Sequence, residues 1–118
     1  MFRLEIIYTL KDNSLQVEYK VENISDVATM YFSLGAHPAF NVGSKADEFS
    51  NYSLLFNKDS VLEATRLNNG LLTMDKNTIT LSKQKLQLNY DLFENDALVL
   101  LDIKSNKITL MITRTRIC

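Results

Sequence analysis

The sequence LQVEYKV, at residues 15–21, decides the fold class of this chain. Its apolar and polar side chains alternate at every second position. That period is typical of a half-buried antiparallel strand, because successive side chains of a strand point to opposite faces of the sheet. A helix would instead scatter the same residues around its axis. Residues 4–10 alternate in the same way, and a polar cluster at residues 11–14 separates the two runs. The pattern predicts a β-hairpin.

Further strand-like runs follow, separated by turn-rich segments such as those at residues 68–70 and 104–106. Many short strands at this spacing predict an all-β, antiparallel β-sandwich. A second hairpin is predicted from the alternating residues 99–103 and 108–112, while residues 60–65 fit either a loop or a short strand. The other predicted strands cover residues 29–34, 52–56, 77–81, 86–92, 97–103 and 107–113.

Length and composition exclude several classes of protein. A chain of 118 residues fits one domain, which we expect over residues 1–118 and which would bury about two-thirds of its unfolded surface. Its 46% apolar and 23% charged residues are ordinary for a soluble globular protein. The net charge of -1 gives no electrostatic reason to expect a nucleic-acid partner.

The cysteine content and the two ends of the chain suggest where it works. Cys118 is the single cysteine, so no intrachain disulfide can form, and a reducing, cytoplasmic compartment is expected. Residues 1–8 lack the unbroken apolar run of a signal peptide or a membrane helix, so no membrane partner is expected. The chain begins within a strand pattern and residues 113–118 lack a turn, which indicates an internal fragment with an incomplete sandwich.

The candidate for chemistry is His37, in the sequence SLGAHPAFN at residues 33–41, which holds the only histidine and the only proline. Pro38 lacks an N–H group and pushes His37 toward an extended conformation, so the preceding strand should end here and direct the imidazole away from the sheet. Gly35 and Ala36 would leave room for a ligand. An imidazole exchanges a proton near neutral pH, which makes His37 a candidate general acid. The alternative is a structural histidine, hydrogen-bonded at a strand end.

Other catalytic arrangements are not supported. One histidine and one cysteine far apart make no zinc site, and no phosphate-binding glycine loop is present, so neither a metal nor an organic cofactor is expected. Ser33 lacks the Gly-x-Ser-x-Gly context of a hydrolase nucleophile. The acidic residues between positions 91 and 102 fit a solvated turn. Asp96, where this turn meets an apolar run, is the alternative: it would point into a sugar site and accept hydrogen bonds from hydroxyl groups.

The sequence LGAHPAFN at residues 34–41, preceded by VENISD at residues 21–26, resembles the aldose 1-epimerase (galactose mutarotase) family and looks most like its bacterial LacX-type branch. The likeness extends more weakly from residue 93 to about residue 113. It implies a galactose mutarotase-like β-sandwich that interconverts the α and β anomers of an aldose without a cofactor. In the family a histidine protonates the ring oxygen while a glutamate removes the proton of the C1 hydroxyl. His37 matches the acid, and Asp96 is a weaker match to an aspartate that binds sugar hydroxyls.

The resemblance also implies what the chain lacks. Phe40 and Asn41 follow the histidine at the family's positions and are expected to contact the monosaccharide, with Phe40 stacking on the ring. The family carries its base in a Glu-Pro-Trp segment and a further histidine near its N-terminus, whereas this sequence has one histidine, one proline and no tryptophan. The resemblance thus implies a chain without its base that is inactive alone.

Two alternatives belong to other classes of function. The first is a non-catalytic carbohydrate-binding module that keeps the fold and the pocket, and the second is a β-sandwich association domain in which His37 is structural. An incomplete sandwich would expose sheet edges, which favour self-association.

Overall fold

The structure of the chain is a computed structural model, and it describes residues 1–43, 46–94 and 97–113. Within this part of the chain the regular structure consists of antiparallel strands and two short 3-10 helices, at Ala46–Asn51 and Tyr90–Phe93. None of the helices described here has the length and apolar character needed to cross a bilayer. The strands are β1 (Phe2–Lys11), β2 (Ser14–Asn23), β3 (Tyr52–Phe56), β4 (Val61–Asn68), β5 (Leu71–Thr80), β6 (Lys85–Gln87), β7 (Val99–Leu100) and β8 (Ile108–Ile112).

The chain divides into two compact units. The hairpin unit comprises residues 1–39, and the sandwich unit comprises residues 40–118. That the two units form one domain stays a prediction.

The first predicted hairpin is confirmed in the hairpin unit. β1 and β2 pair along their whole length, from Phe2 opposite Asn23 to Lys11 opposite Ser14. The turn between them holds Asp12 at a φ of 52°, in the left-handed region that aspartate tolerates better than most residues. No described side chain of this unit is buried, so its apolar residues keep much of their surface open to solvent.

The sandwich unit contains two three-stranded sheets, with strand orders β6-β3-β8 and β5-β4-β7. Phe56 from β3 and Leu62 from β4 are 1% and 2% exposed, so both sheets send side chains into one apolar core. Two sheets that bury their inner faces against each other form a β-sandwich. The all-β sandwich predicted from the sequence is therefore confirmed. Leu81 and Leu86 belong to the same buried cluster, and Leu54, Ile79, Leu92, Leu98 and Leu100 pack against it.

Local sequence patterns located the strands of this unit with varying accuracy. The predictions over residues 52–56 and 107–113 are confirmed by β3 and β8. Of the ambiguous residues 60–65, those from Val61 onward belong to β4. The predicted strand at residues 77–81 coincides, up to Thr80, with the end of the longer β5. Those at residues 86–92 and 97–103 were too long, because only β6 and the two-residue β7 pair with neighbours.

The second predicted hairpin is wrong. β7 pairs with β4, whereas β8 pairs with β3 in the other sheet. The cause lies in the connection between β7 and β8, which binds the turn between β3 and β4. The carboxylate of Asp59 accepts hydrogen bonds from the N–H groups of Lys104 (3.1 Å) and Ser105 (2.8 Å). The Ser105 hydroxyl oxygen accepts bonds from the N–H groups of Lys58 (3.0 Å) and Asp59 (3.2 Å).

These reciprocal bonds, which we call the Asp59–Ser105 pair, are extended by a neighbouring residue. The side chain of Asn57 donates to Asn106 Oδ1 at 2.8 Å and accepts from the N–H group of Lys107 at 3.2 Å. Since both Asp59 and Ser105 are buried, their polar groups need these partners. The two turns are therefore held together at one end of the sandwich.

The turn between β4 and β5 gives a testable expectation. It consists of Asn69 and Gly70, whose φ angles are 51° and 77°, as a two-residue hairpin turn of type I′ requires. A Cβ added at Gly70 would meet no atom within 4 Å, so backbone strain alone decides the effect of a substitution. We expect Gly70→Ala to lower the free energy of unfolding by about 1 kcal/mol, measured by urea denaturation.

Gly35→Ala is the matched control for this substitution. A Cβ at Gly35 also meets nothing within 4 Å, and its backbone is not left-handed. We expect its free energy of unfolding to equal that of the unsubstituted chain. An equal loss at both glycines would show that the left-handed backbone at Gly70 is not the cause.

Candidate functional site

The chain leaves the β1–β2 hairpin through a hydrogen-bonded turn. The Asn23 side chain donates to the carbonyl oxygen of Ala28 at 2.7 Å and accepts from the N–H group of Ser25 at 3.1 Å. The Ser25 hydroxyl oxygen in turn accepts from the N–H group of Ala28 at 3.2 Å. Asparagine and serine favour such local bonds to the backbone. The sequence VENISD therefore ends β2 and redirects the chain.

The predicted strand at residues 29–34 is wrong. No described strand pairs with this segment, and the Tyr31 side chain is 92% exposed. The physical reason is that no described strand offers a backbone partner to this segment, which lies beside the end of the hairpin. Together they line an apolar cavity of about 310 Å³, to which the hairpin contributes Phe2, Leu4 and Val21 and the segment contributes residues 30–34.

His37 follows this cavity in the hairpin unit, on irregular backbone. Its imidazole is exposed and has no hydrogen-bond or ion-pair partner in the described part of the chain. A side chain added at the nearby Gly35 would meet no atom within 4 Å, so open space lies beside Gly35. The imidazole of His37 is therefore accessible. Residues 24–43 contain no described strand, so His37 does not lie at the end of a strand.

Phe40 and Asn41 belong to the sandwich unit. The Phe40 side chain is 71% exposed, which leaves its ring face open for stacking. Asn41 Oδ1 accepts a hydrogen bond from the N–H group of Gly43 at 3.0 Å, where the backbone turns with a φ of 96°. The amide nitrogen of Asn41 has no described partner and is available to donate. Asp96, the remaining predicted site residue, lies outside the described residues.

The acidic residues near Asp96 in the sequence have separate surroundings. Asp91 lies in the 3-10 helix Tyr90–Phe93, which Asn89 caps by accepting a bond from the N–H group of Leu92 at 3.0 Å. Asp102 instead lies 3.4 Å from the Lys76 ammonium, at an exposed position. Among the described residues, no group of three His, Cys, Asp or Glu side chains is placed to hold a metal ion.

Lys76 on β5 connects two acidic residues, Glu63 on the neighbouring strand β4 and Asp102 beyond the end of β7. Its ammonium donates to Glu63 at 2.8 Å and to Asp102 at 3.4 Å. The hydrogen bond to Glu63 first, and then that to Asp102, raise the pKa of Lys76 above its ordinary value. All three side chains are substantially exposed, so these bonds orient the side chains more than they stabilise the fold.

Comparison with known proteins adds the identity of the family. A family model described as aldose 1-epimerase matches residues 1–117. The plasmid and chromosomal forms of protein LacX from Lactococcus lactis subsp. lactis are each 36% identical to the chain over 113 residues. Each alignment covers 92% of this chain and 38% of the relative, so the chain spans less than two-fifths of the length of these relatives. No solved structure matches the chain significantly. With a family match along almost its whole length, the chain belongs to the aldose 1-epimerase family.

Proposed function

We propose that this chain supplies the proton donor of an aldose-binding site, with His37 as the general acid. The imidazolium gives its proton to the ring oxygen of the sugar while a base takes the proton of the C1 hydroxyl, so that the ring opens to the free aldehyde. Rotation about the C1–C2 bond exposes the other face of the carbonyl. Reversal of both proton transfers closes the ring as the other anomer.

The accessible imidazole of His37 is the observation that carries this proposal. A general acid must reach the atom that it protonates, and it works best when it exchanges protons near the operating pH. His37 is exposed, on irregular backbone, with open space beside Gly35. It also lies in the sequence LGAHPAFN, at residues 34–41, which resembles the segment that carries the acid in the family.

Phe40, Asn41 and Asp96 are proposed to bind the sugar. The exposed ring of Phe40 offers an apolar face to the C–H groups of a pyranose. The free amide nitrogen of Asn41 can donate to a hydroxyl oxygen, and the carboxylate of Asp96 would accept from hydroxyl groups. In this proposal these three residues bind the sugar, whereas His37 transfers the proton.

A carbohydrate-binding module without catalysis is the second candidate. One observation favours it: His37 has no carboxylate partner in the described part of the chain, and no base is assigned to these residues. Removing the acid or the base commonly lowers a rate by about 10² to 10⁴. We therefore propose that the chain alone accelerates mutarotation little or not at all.

An external base tests the assignment of His37. Mutarotation of freshly dissolved α-D-galactose is followed by optical rotation with the chain alone, with acetate alone and with both. If His37 supplies the acid, acetate can act as the base in the bound complex. We expect the rate with both to exceed the sum of the separate accelerations at least about twofold, and His37→Ala to abolish this excess.

Met74→Ala is a suitable control, because this residue of β5 is fully exposed and is not one of the proposed site residues. It should keep the full excess rate. An excess that survives in His37→Ala would assign the acid to another group. Sugar-dependent NMR shifts at residues 35–43 without any excess rate would instead support the binding module.

A further inference from the structure

The turn between β4 and β5 places an asparagine directly before a glycine. Asn69 is the only asparagine of the sequence that glycine follows. The backbone nitrogen of the next residue can attack the side-chain amide of an asparagine, and it does so fastest when that residue has no side chain to hinder the approach. A Cβ at Gly70 would meet no atom within 4 Å, so the surrounding chain does not obstruct this approach either.

The side-chain amide of Asn69 is not bound by its surroundings. Asn69 and Gly70 are both exposed, and the Asn69 side chain has no hydrogen-bond partner in the described part of the chain. The Asn57 side chain, by contrast, donates to Asn106 Oδ1 and accepts from the N–H group of Lys107. The Asn69 amide is therefore accessible to water and free to rotate toward the backbone.

Attack on this amide requires the backbone of the turn to change conformation. Asn69 has a φ of 51°, as the first central residue of a type I′ turn requires. In such a turn the peptide bond after Asn69 is not oriented for attack, so the ψ angle of Asn69 must rotate before the Gly70 nitrogen can reach its side-chain carbon. The rate of the reaction therefore depends on how readily the tip of the hairpin opens.

The tip of the β4–β5 hairpin is held by few contacts. The register of the two strands shifts between Thr65 and Leu67, and such an irregularity interrupts the ladder of hydrogen bonds. Between this shift and the turn the register contains two residue pairs, Leu67 with Leu72 and Asn68 with Leu71. The side chains of Leu71 and Leu72 are 73% and 55% exposed. A short segment with little buried apolar surface opens at a low cost in free energy, so the tip can open while the rest of the sheet stays paired.

We propose that Asn69 is a site of spontaneous deamidation, with water as the co-reactant. The Gly70 nitrogen forms a bond to Cγ of Asn69, the Cγ–Nδ2 bond breaks, and ammonia leaves with the proton of the Gly70 N–H group. The product is a five-membered succinimide. Water then attacks its side-chain carbonyl carbon to give aspartate, or its main-chain carbonyl carbon to give isoaspartate. Neither step oxidises or reduces the chain.

Either product changes the tip of the hairpin. Both add one negative charge to a chain whose net charge is -1. Isoaspartate also adds a methylene group to the main chain, which disturbs a two-residue turn because the length of the turn fixes the register of its strands. The site uses no residue that the proposed function assigns to the sugar or to proton transfer.

Mass spectrometry of the whole chain, purified and incubated at pH 8, tests this proposal. Trypsin then cleaves after Arg66 and Lys76 and releases residues 67–76, in which Asn68 and Asn69 are the two asparagines. Asn68 is exposed in the same tip but precedes an asparagine, so it is the internal control. We expect Asn69 to convert to a mixture of isoaspartate and aspartate at least about tenfold faster than Asn68 converts.

Gly70→Ala is the matched variant. We expect it to slow the conversion of Asn69 at least about tenfold, because the added methyl group hinders the attacking nitrogen. The same substitution destabilises the turn, so a slower reaction cannot result from a tip that opens less often. Equal conversion at Asn68, conversion of Asn69 to aspartate alone, or conversion only in a chain unfolded by concentrated urea would each overturn this proposal. All three outcomes leave the proposed role of His37 standing.

Discussion

Phe56→Ala is expected to lower the free energy of unfolding of the sandwich unit by about 3–5 kcal/mol. Phe56 is 1% exposed and belongs to the apolar core between the two sheets, with Leu62, Leu81 and Leu86. Truncation removes its ring from this core and leaves a cavity that the surrounding strands can fill only in part. A loss of this size is a large share of the total stability of a small unit.

Urea denaturation followed by far-UV circular dichroism measures this loss, since the chain has no tryptophan to report by fluorescence. Phe40→Ala is the matched control, because it deletes the same atoms from a side chain that is 71% exposed. We expect its unfolding midpoint to stay unchanged. Equal midpoints for Phe56→Ala and the unsubstituted chain would show that the two sheets are not stabilised by this core.

Ser105→Ala is expected to lower the free energy of unfolding by about 1–3 kcal/mol at pH 7. The Ser105 hydroxyl oxygen accepts bonds from the N–H groups of Lys58 and Asp59, and the substitution leaves both without that partner in a buried turn. We expect Asp59→Asn to lower the free energy of unfolding as well. The amide nitrogen of the asparagine would face a backbone N–H group that, in the unsubstituted chain, donates to a carboxylate oxygen of Asp59. Both variants are measured by urea denaturation.

The same pair predicts a dependence of stability on pH. The hydrogen bond from the Ser105 side chain lowers the pKa of Asp59 below 3.8, and the Lys104 and Ser105 N–H groups add to this effect while burial opposes it. Because the folded value is lower than the unfolded one, the stabilisation is fully present above pH 3.8 and is lost as the pH falls through the folded value. Protonation of Asp59 converts one of its two acceptor oxygens into an O–H group, which opposes the hydrogen bond that this oxygen accepts.

Asp59→Asn isolates this contribution. The stability difference between the unsubstituted chain and this variant should be largest at neutral pH and should shrink below pH 3.8. Asp75→Asn, at an exposed position on β5, serves as the control and should show the acid dependence of the unsubstituted chain. A difference that stays constant from pH 7 to pH 2 would contradict the assignment to the Asp59 carboxylate.

Elements with a self-contained pattern were predictable from the sequence. The alternation at residues 15–21, with a turn cluster before it, was enough to predict the β1–β2 hairpin, because the strands that pair are neighbours in the chain. β3 was also located correctly, since Phe56 and its alternate neighbours form a compact apolar run. Local periodicity thus reports which segments can form a strand.

Strand pairing was not predictable in the same way. Residues 29–34 have strand-like composition, but their backbone has no partner strand in the described chain, and no local pattern encodes a partner. The error over the second hairpin has a similar origin. The Asp59–Ser105 pair joins residues 46 positions apart, so an ordinary Lys-Ser-Asn turn gave no sign that it binds another turn.

The candidate site was predictable only in part. His37 could be singled out because it is the one histidine and lies beside Pro38, although its role stays a prediction, as do those of Phe40 and Asn41. The known preference of Asn23 and Ser25 for local hydrogen bonds to the backbone is the sequence signal that could have predicted the turn after β2.

The position of β3 at the centre of its sheet affects how the chain can fold during synthesis. Its neighbours are β6 and β8, and β8 is the last strand described. A growing chain that has not yet emerged as far as residue 112 must therefore keep one edge of β3 unpaired. Open strand edges pair readily with other chains. Slow elongation through residues 57–107 would thus prolong the period in which nascent copies can aggregate.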